Sequence, residues 1–292
     1  MDEELRKIES LKLSKPKRIL KQTLEKLDVA VMRFRTFHLL IENSKNFRKL
    51  QELDTSEISK SLIDYLVKNC SESQSQLFQD LIVMYISDNF MRDTAAIAPK
   101  IFVEFGACDG IKFSNTFLLE KNGWQGIVAE PARKWHKKLK ANRNCAISLK
   151  AVASVSGNKL HFVETVEGEF SSLRSFAESD IFAQYRMNNT SSEYLVDTIS
   201  LNDLIKENGF YQEITYLSID TEGGERSILE SFDFKQFNPA IISVEHNYSV
   251  EQDNLDRLLL DLGFIKVLTT LSRFESWYVN AKRIKLPSDG VL

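Results

Sequence analysis

From residue 101 onward, short apolar runs alternate with stretches whose apolar residues recur every three or four positions, so strands and helices are predicted to take turns. The runs place strands at Ile101–Phe105, Gln125–Ala129, Ala146–Ala151, Thr215–Ile219 and Ala240–Val244. Two closing strands follow, over Phe264–Thr269 and Trp277–Val279. The intervening segments predict helices at about Ser114–Lys121, Ala132–Asn142, Ser200–Glu207, Gly224–Phe232 and Val250–Leu262, with Ser200 as a cap. Such alternation builds βα units, so the expected fold class is α/β with about seven strands in a mainly parallel sheet. Three segments depart from this rhythm. Lys159–Thr165 alternates like an edge strand, Val166–Thr190 is polar and weakly periodic, and Tyr194–Ile199 reads as a short strand. A long loop such as Val166–Thr190 is often a pocket lid.

Before residue 101 the pattern is helical. Leu20, Leu24, Leu27, Val31, Phe34 and Phe37/His38 draw one apolar stripe, and Leu77–Ile86 is predicted as a further helix capped by Ser73 or Ser75. The expected organisation is an N-terminal helical appendage at 1–72 and a main domain at 73–292. Charge sharpens this division: residues 1–50 hold 13 Lys/Arg against 7 Asp/Glu, leaving 25 against 34 for the remainder. The stripe is expected to pack on the main domain or on a second copy of the chain. The basic cluster Lys12, Lys15, Lys17, Arg18 and Lys21 suits peripheral contact with an anionic membrane surface or an acidic polymer.

Composition adds exclusions. With 43% hydrophobic residues, 27% charged residues and a formal net charge of -3, the whole chain is not an expected partner of nucleic acid. Cys70, Cys108 and Cys145 have neither disulfide-framework nor zinc-ligand spacing. A soluble chain in a reducing cytoplasm is expected, without a signal peptide or an apolar run long enough to span a bilayer.

The candidate chemistry gathers at strand ends. The first strand opens into Gly106-Ala107-Cys108-Asp109-Gly110, small residues that let a ligand approach the backbone. Glu130 ends the second strand, 24 positions beyond Gly106, near the spacing at which an acid meets a ribose in dinucleotide folds. Asp220, within Asp220-Thr221-Glu222-Gly223-Gly224, ends the fourth, and Glu245-His246-Asn247 ends the fifth. Glu104 inside a strand needs a partner, either a ligand ammonium, a backbone N–H or a buried ion pair. Asp109 could contact a cofactor or bond its own turn, and Asp220 or Thr221 could instead cap the next helix. Asp220 and Glu222 could orient a hydroxyl, act as base or hold a divalent cation. His246 has the pKa of a natural proton acceptor. Ser171, Ser172 and Arg174 are weaker candidates for substrate contact.

The ordered blocks VEFGACDGIKFSNTFLLEKNGWQGIVAEP, VDTISLNDLI, YLSIDTEGGERSIL and ISVEHN resemble the FkbM family of S-adenosylmethionine-dependent methyltransferases, across roughly Ser73 to Val279. The resemblance implies a class I methyltransferase (Rossmann-like) fold and O-methylation of hydroxyls on sugars, polysaccharides or polyketide-like products. By motif position it puts S-adenosylmethionine at Glu104, Gly106, Asp109, Gly110 and Glu130, with Asp220 also beside the cofactor. Cys108 stands where the family more often has Asn, and Gly224 where it often has Ala. The expected reaction is deprotonation or orientation of an acceptor hydroxyl by His246 with Asp220 or Glu222; a divalent cation at these groups is left open. Two other readings stand beside it: an NAD-dependent oxidoreductase, disfavoured by GxxxG in place of GxGxxG, and a non-catalytic subunit of a glycan-building complex.

Overall fold

The computed structural model describes residues 46, 48, 49, 53, 54, 58–92, 99–178, 181–210, 213–221, 223–247, 251–271, 274–288, 290 and 292. The helix expected along Leu20–His38, the basic cluster from Lys12 to Lys21 and the candidate Glu222 lie outside the described residues. Asp54–Leu292 forms one compact unit, whose start lies upstream of the boundary expected at residue 72.

The unit begins with helices α1 (Lys60–Asn69) and α2 (Gln79–Phe90). Next come β1 (Ile101–Phe105), α3 (Phe117–Lys121), β2 (Gln125–Ala129), α4 (His136–Asn142), β3 (Ala146–Ser148), β4 (Ala151–Ala153), β5 (Lys159–Thr165) and β6 (Ser172–Leu173). The chain continues through α5 (Ala183–Asn189), β7 (Thr190–Ser200), α6 (Leu201–Glu207), β8 (Tyr216–Ile219), α7 (Glu225–Glu230) and α8 (Phe234–Phe237). It closes with β9 (Ile241–Glu245), α9 (Gln252–Asp261), β10 (Phe264–Val267) and β11 (Glu275–Asn280).

Seven strands make the main sheet, in the order β10-β11-β9-β8-β1-β2-β3, with β11 antiparallel to both neighbours. The expected class I methyltransferase architecture is therefore present: a doubly wound sheet whose order reverses beside β1. Its strands are apolar because both faces are covered. Val103, Ile127, Leu217 and Ile242 are fully buried against Leu204, Leu229 and Leu259 of α6, α7 and α9. The carboxyl ends of β1, β2, β8 and β9 share one rim, where such folds place ligands.

A second sheet, β4-β7-β5-β6, corrects several sequence expectations. The strand expected over Ala146–Ala151 divides: β3 pairs with β2, while β4 crosses to pair with β7. Lys159–Thr165 is not an edge, because β7 and β6 flank it. The strand expected at Tyr194–Ile199 begins at Thr190; its first residues are exposed on both faces and so lack an apolar alternation. The long loop is partly regular, containing β6 and α5, and Arg186 ties it down by donating to Phe170 O (2.8 Å) and Ala177 O (3.1 Å). Ser200 caps α6 as expected, accepting from Asp203 N at 3.1 Å. The N-cap of α2 is Phe78, not Ser73 or Ser75; the two hydroxyls donate to buried Asp80 at 2.6 and 2.8 Å, and Ser75 Oγ also accepts from Asp80 N in the first turn at 3.4 Å. Among the described residues, no helix is long and apolar enough to cross a membrane.

One buried ion pair positions the glycine turn. Glu104 is in the middle of the sheet, and its carboxylate accepts from Ser114 Oγ (2.9 Å), Asn115 N (2.6 Å) and Thr116 Oγ1 (2.6 Å). The Arg143 side chain, at 0% exposure, completes the pairing at 3.4 Å and also reaches Gly110 O, Ser114 Oγ and Thr116 Oγ1. A second carboxylate, Glu120, binds the same guanidinium. Removing one member of such a pair strands the other in a medium that cannot solvate it. Arg143→Met is therefore expected to cost about 3–5 kcal/mol of folding stability. Urea unfolding checks this; a midpoint within error of the wild type would contradict it.

Candidate active site

β1 ends in a turn that crosses the tip of β2. Gly106 N donates to Ala129 O at 3.1 Å, and the left-handed φ of +83° is open to glycine at little cost. A Cβ on Gly106 would lie 2.4 Å from Asp220 O, so no larger residue fits between β1 and β8. Cys108 also has positive φ, +47°. Asn tolerates that conformation better than most residues, Cys included. Gly224 has φ of −92°, and a methyl group added there would find its nearest neighbour, Thr221 Oγ1, at 3.2 Å, so alanine needs only a small adjustment.

Glu130 binds the turn to β2. Its Oε2 accepts from Cys108 N at 2.8 Å and its Oε1 from Ala132 N at 2.7 Å, the intervening Pro131 having no N–H to offer. Each oxygen keeps a second lone-pair direction. Burial pushes the Glu130 carboxyl up from 4.5 to about 7 despite both hydrogen bonds. The carboxyl lines a cavity of about 160 Å³ that runs under the second sheet. Phe105, Ala151, Leu160, Phe162, Leu173 and Phe176 give this slot its apolar walls.

A larger cavity, about 520 Å³, opens on the other side of the turn. Gly106, Cys108, Glu169 and Asp220 line both cavities and form their junction. Asp220 is hydrogen-bonded to Glu245 from the end of β9; burial, and then Glu245, raise its pKa well above the ordinary carboxylate value. Two carboxyls at hydrogen-bonding distance share a proton. The backbone after Asp220 is held by Glu225, whose Oε1 accepts from Thr221 N, Thr221 Oγ1 and Gly223 N at 2.9–3.1 Å.

The structure thus brings Gly106, Glu130 and Asp220 together at the cavities but sends other candidates elsewhere. Glu104 is spent on the buried network and Arg143. Asp109 Oδ1 accepts from Ile111 N and Lys112 N at 2.9 Å, closing its own turn. Gly110 packs against α4, where a Cβ would meet Arg143 Cγ at 2.7 Å and Leu139 Cδ1 at 2.8 Å. His246 follows β9 but lines neither cavity. It is 5% exposed, and burial, then Lys266, push its ring below the ordinary 6.5. Ser171 lines the smaller cavity. Ser172 is buried in β6, and Arg174 pairs with Glu193 at 3.1 Å. Among the described residues no group of three His, Cys, Asp or Glu side chains is arranged to hold a metal.

Sequence reasoning passed over Arg143, Glu169 and Glu275. Glu275 opens β11, outside the strand expected at Trp277–Val279, so the argument applied to Glu104 did not reach it. Arg143 sits at the end of a lysine-rich helix and carries no local mark of burial.

A family model described as the methyltransferase FkbM domain matches residues 104–266. Among solved structures the chain is similar to a ribosomal protein L11 methylase from Lactobacillus delbrueckii subsp. bulgaricus, at 8% identity over 68% of this chain and 75% of that one, with a TM-score of 0.33. It is also similar to an O-methyltransferase from Bacillus cereus in complex with SAH, at 13% identity over 89% and 97%, with a TM-score of 0.33. Comparison with curated proteins gives no match.

Glu130 and Glu275 are both held near 7 by burial, above the 4.5 of an ordinary glutamate. In this window the unfolded chain releases protons that the folded chain keeps, so each group lowers stability as pH rises from about 4.5 to 7. The loss is of the order of 3 kcal/mol per group. Glu275→Gln is therefore expected to gain that amount relative to wild type between pH 4.5 and 7.5. Urea unfolding at both pH values checks it, and a pH-independent difference would contradict the assignment.

Proposed function

The chain belongs to the FkbM methyltransferase family, and from that premise we propose that it is an S-adenosylmethionine-dependent O-methyltransferase acting on a hydroxyl of a saccharide or related glycan. The observation that carries the reading is the meeting of an apolar slot and a polar cavity at Gly106 and Asp220. One compartment suits a nucleoside and the other an acceptor. When bound, the cofactor supplies a methyl group already activated on a sulfonium.

The residues of the slot fit that cofactor. Phe105, Leu160, Phe162 and Phe176 offer flat apolar contact to a base. Glu130, fixed by Cys108 N and Ala132 N, has lone pairs left for two vicinal ribose hydroxyls. Displacing water from this carboxyl costs little, because it is already buried. Gly106 leaves the turn without a side chain, so the methionine end can pass along its backbone toward Asp220.

The Asp220–Glu245 pair takes the role that sequence reasoning gave to His246. Its unprotonated oxygen would accept the proton of the acceptor hydroxyl, whose oxygen takes the methyl group as the methyl–sulfonium bond breaks and the thioether leaves. A shared proton keeps the pair singly charged in an enclosed site, and Glu245 raises the basicity of Asp220. The remaining work is alignment of the hydroxyl with the methyl, which the rigid ends of β1, β8 and β9 support.

Calorimetry with S-adenosylhomocysteine and NAD tests the cofactor. The homocysteine compound is expected to bind and NAD not; binding of NAD alone would overturn the reading. Glu130→Ala should weaken S-adenosylhomocysteine about 10- to 100-fold, as expected for loss of hydrogen bonds to a charged group.

Transfer of labelled methyl to a panel of saccharides tests the base. Asp220→Asn should lower the rate about 100-fold or more while S-adenosylhomocysteine still binds, and His246→Ala should stay within about threefold of wild type. A folded His246→Ala variant without activity would return the base to the histidine.

A further inference from the structure

The smaller cavity is lined entirely by residues within 104–266, the span matched by the family model. The larger one is not. Gln76 and Gln79 close it from before that span, and Phe274 and Glu275 from after it. These four residues lie outside the matched span and shape the acceptor side.

Their arrangement is specific. Gln79 Nε2 donates to Glu275 Oε2 at 2.9 Å, and its Oε1 accepts from Leu77 N at 2.6 Å, so the amide orientation is fixed. The segment before α2 is anchored to the exit of the glycine turn, with Phe113 N donating to Gln74 O at 3.0 Å. Glu275 stands directly opposite Glu245 in the register of β11 and β9, and residues opposite one another share a face. Glu245 in turn bonds Asp220. A row of three carboxyls therefore crosses the wall of one cavity.

Like charges opposite each other destabilise a sheet. Among the described residues of this wall the basic side chain is Lys112, already paired with Glu169 at 2.7 Å. Asn115 Oδ1, also on the wall, is a buried acceptor with no hydrogen-bond partner among the described residues. The wall thus carries the single charge shared by Asp220 and Glu245, with the Glu275 carboxyl beside it. Opposite charge on a ligand would relieve the row, and phosphate would aggravate it. An organic cation would meet that charge and also rest its carbon skeleton on aromatic faces. Phe170 and Phe182, with ring centroids 4.8 Å apart, add faces that attract cations and cover sugar C–H groups.

We propose that the acceptor is a hydroxyl compound carrying an ammonium group, of the amino-sugar class, and that Glu275, held by Gln79, selects it. The proposal rests on the methyltransferase reading of the same site. It excludes phosphorylated and nucleotide-linked sugars as preferred acceptors.

The test uses the full chain saturated with S-adenosylhomocysteine and titrated by calorimetry with glucosamine trisaccharide, its fully N-acetylated form and glucose 6-phosphate. The amine is expected to bind at least about tenfold more tightly than either other probe, the scale of one charge-assisted hydrogen bond. Glu275→Gln should abolish that preference while its S-adenosylhomocysteine affinity stays at the wild-type value. Equal affinity for the three probes, a preference for the acetylated or phosphorylated one, or no binding of any of them overturns the proposal. A preference that survives in a Glu275→Gln variant still able to bind S-adenosylhomocysteine removes Glu275 from the selecting role. Failure of the wild type to bind S-adenosylhomocysteine is a different result, and overturns the methyltransferase reading itself.

Discussion

The buried pairing of Glu104 with Arg143 is the constraint on which the site depends. A carboxylate in the central strand is intolerable without donors. It gathers Ser114, Asn115 N, Thr116 and Arg143 around itself, joining β1 to the start of α3 and the end of α4. The glycine turn is enclosed by those elements, and Arg143 also binds Gly110 O. The charge inside the sheet thus acts as a structural anchor one residue before the turn that shapes the pocket.

Outside that anchor, burial sets the chemistry. Glu130, Asp220 and Glu275 all have raised pKa values with desolvation as the first cause. What distinguishes them is the company each keeps. Glu130 is held by two backbone N–H groups and faces the apolar slot; Asp220 is coupled to Glu245 at the junction; Glu275 is clamped by a glutamine amide across the larger cavity. Carboxyls at one rim are therefore set apart by their partners, which is the basis of the different roles proposed for them.

The main sheet was legible because each central strand is a continuous apolar run and each following helix repeats at helical intervals. The second sheet was less so. β3 and β4 are separated by only two residues, and no local signal says that the chain changes sheets between them. Gly106, Glu130 and Asp220 stand at strand ends, which the topology translates directly into proximity at one cavity. His246 and Glu245 are neighbours at the end of β9, yet it is Glu245 that lines the cavity, a difference of direction that spacing does not carry. Asp109 and Gly110 belong to the motif but serve turn closure and helix packing. Arg143 and Gln79 act through partners 39 and 196 positions away in the chain, distances at which residue spacing carries no information.

A crystal structure of the full chain with S-adenosylhomocysteine tests the central claim most directly. The account predicts the adenine between Phe105 and the second sheet, both ribose hydroxyls on the Glu130 carboxylate and the sulfur beside Gly106 and Asp220. A ligand bound with its ribose away from Glu130, or with its sulfur remote from the junction of the two cavities, would contradict it.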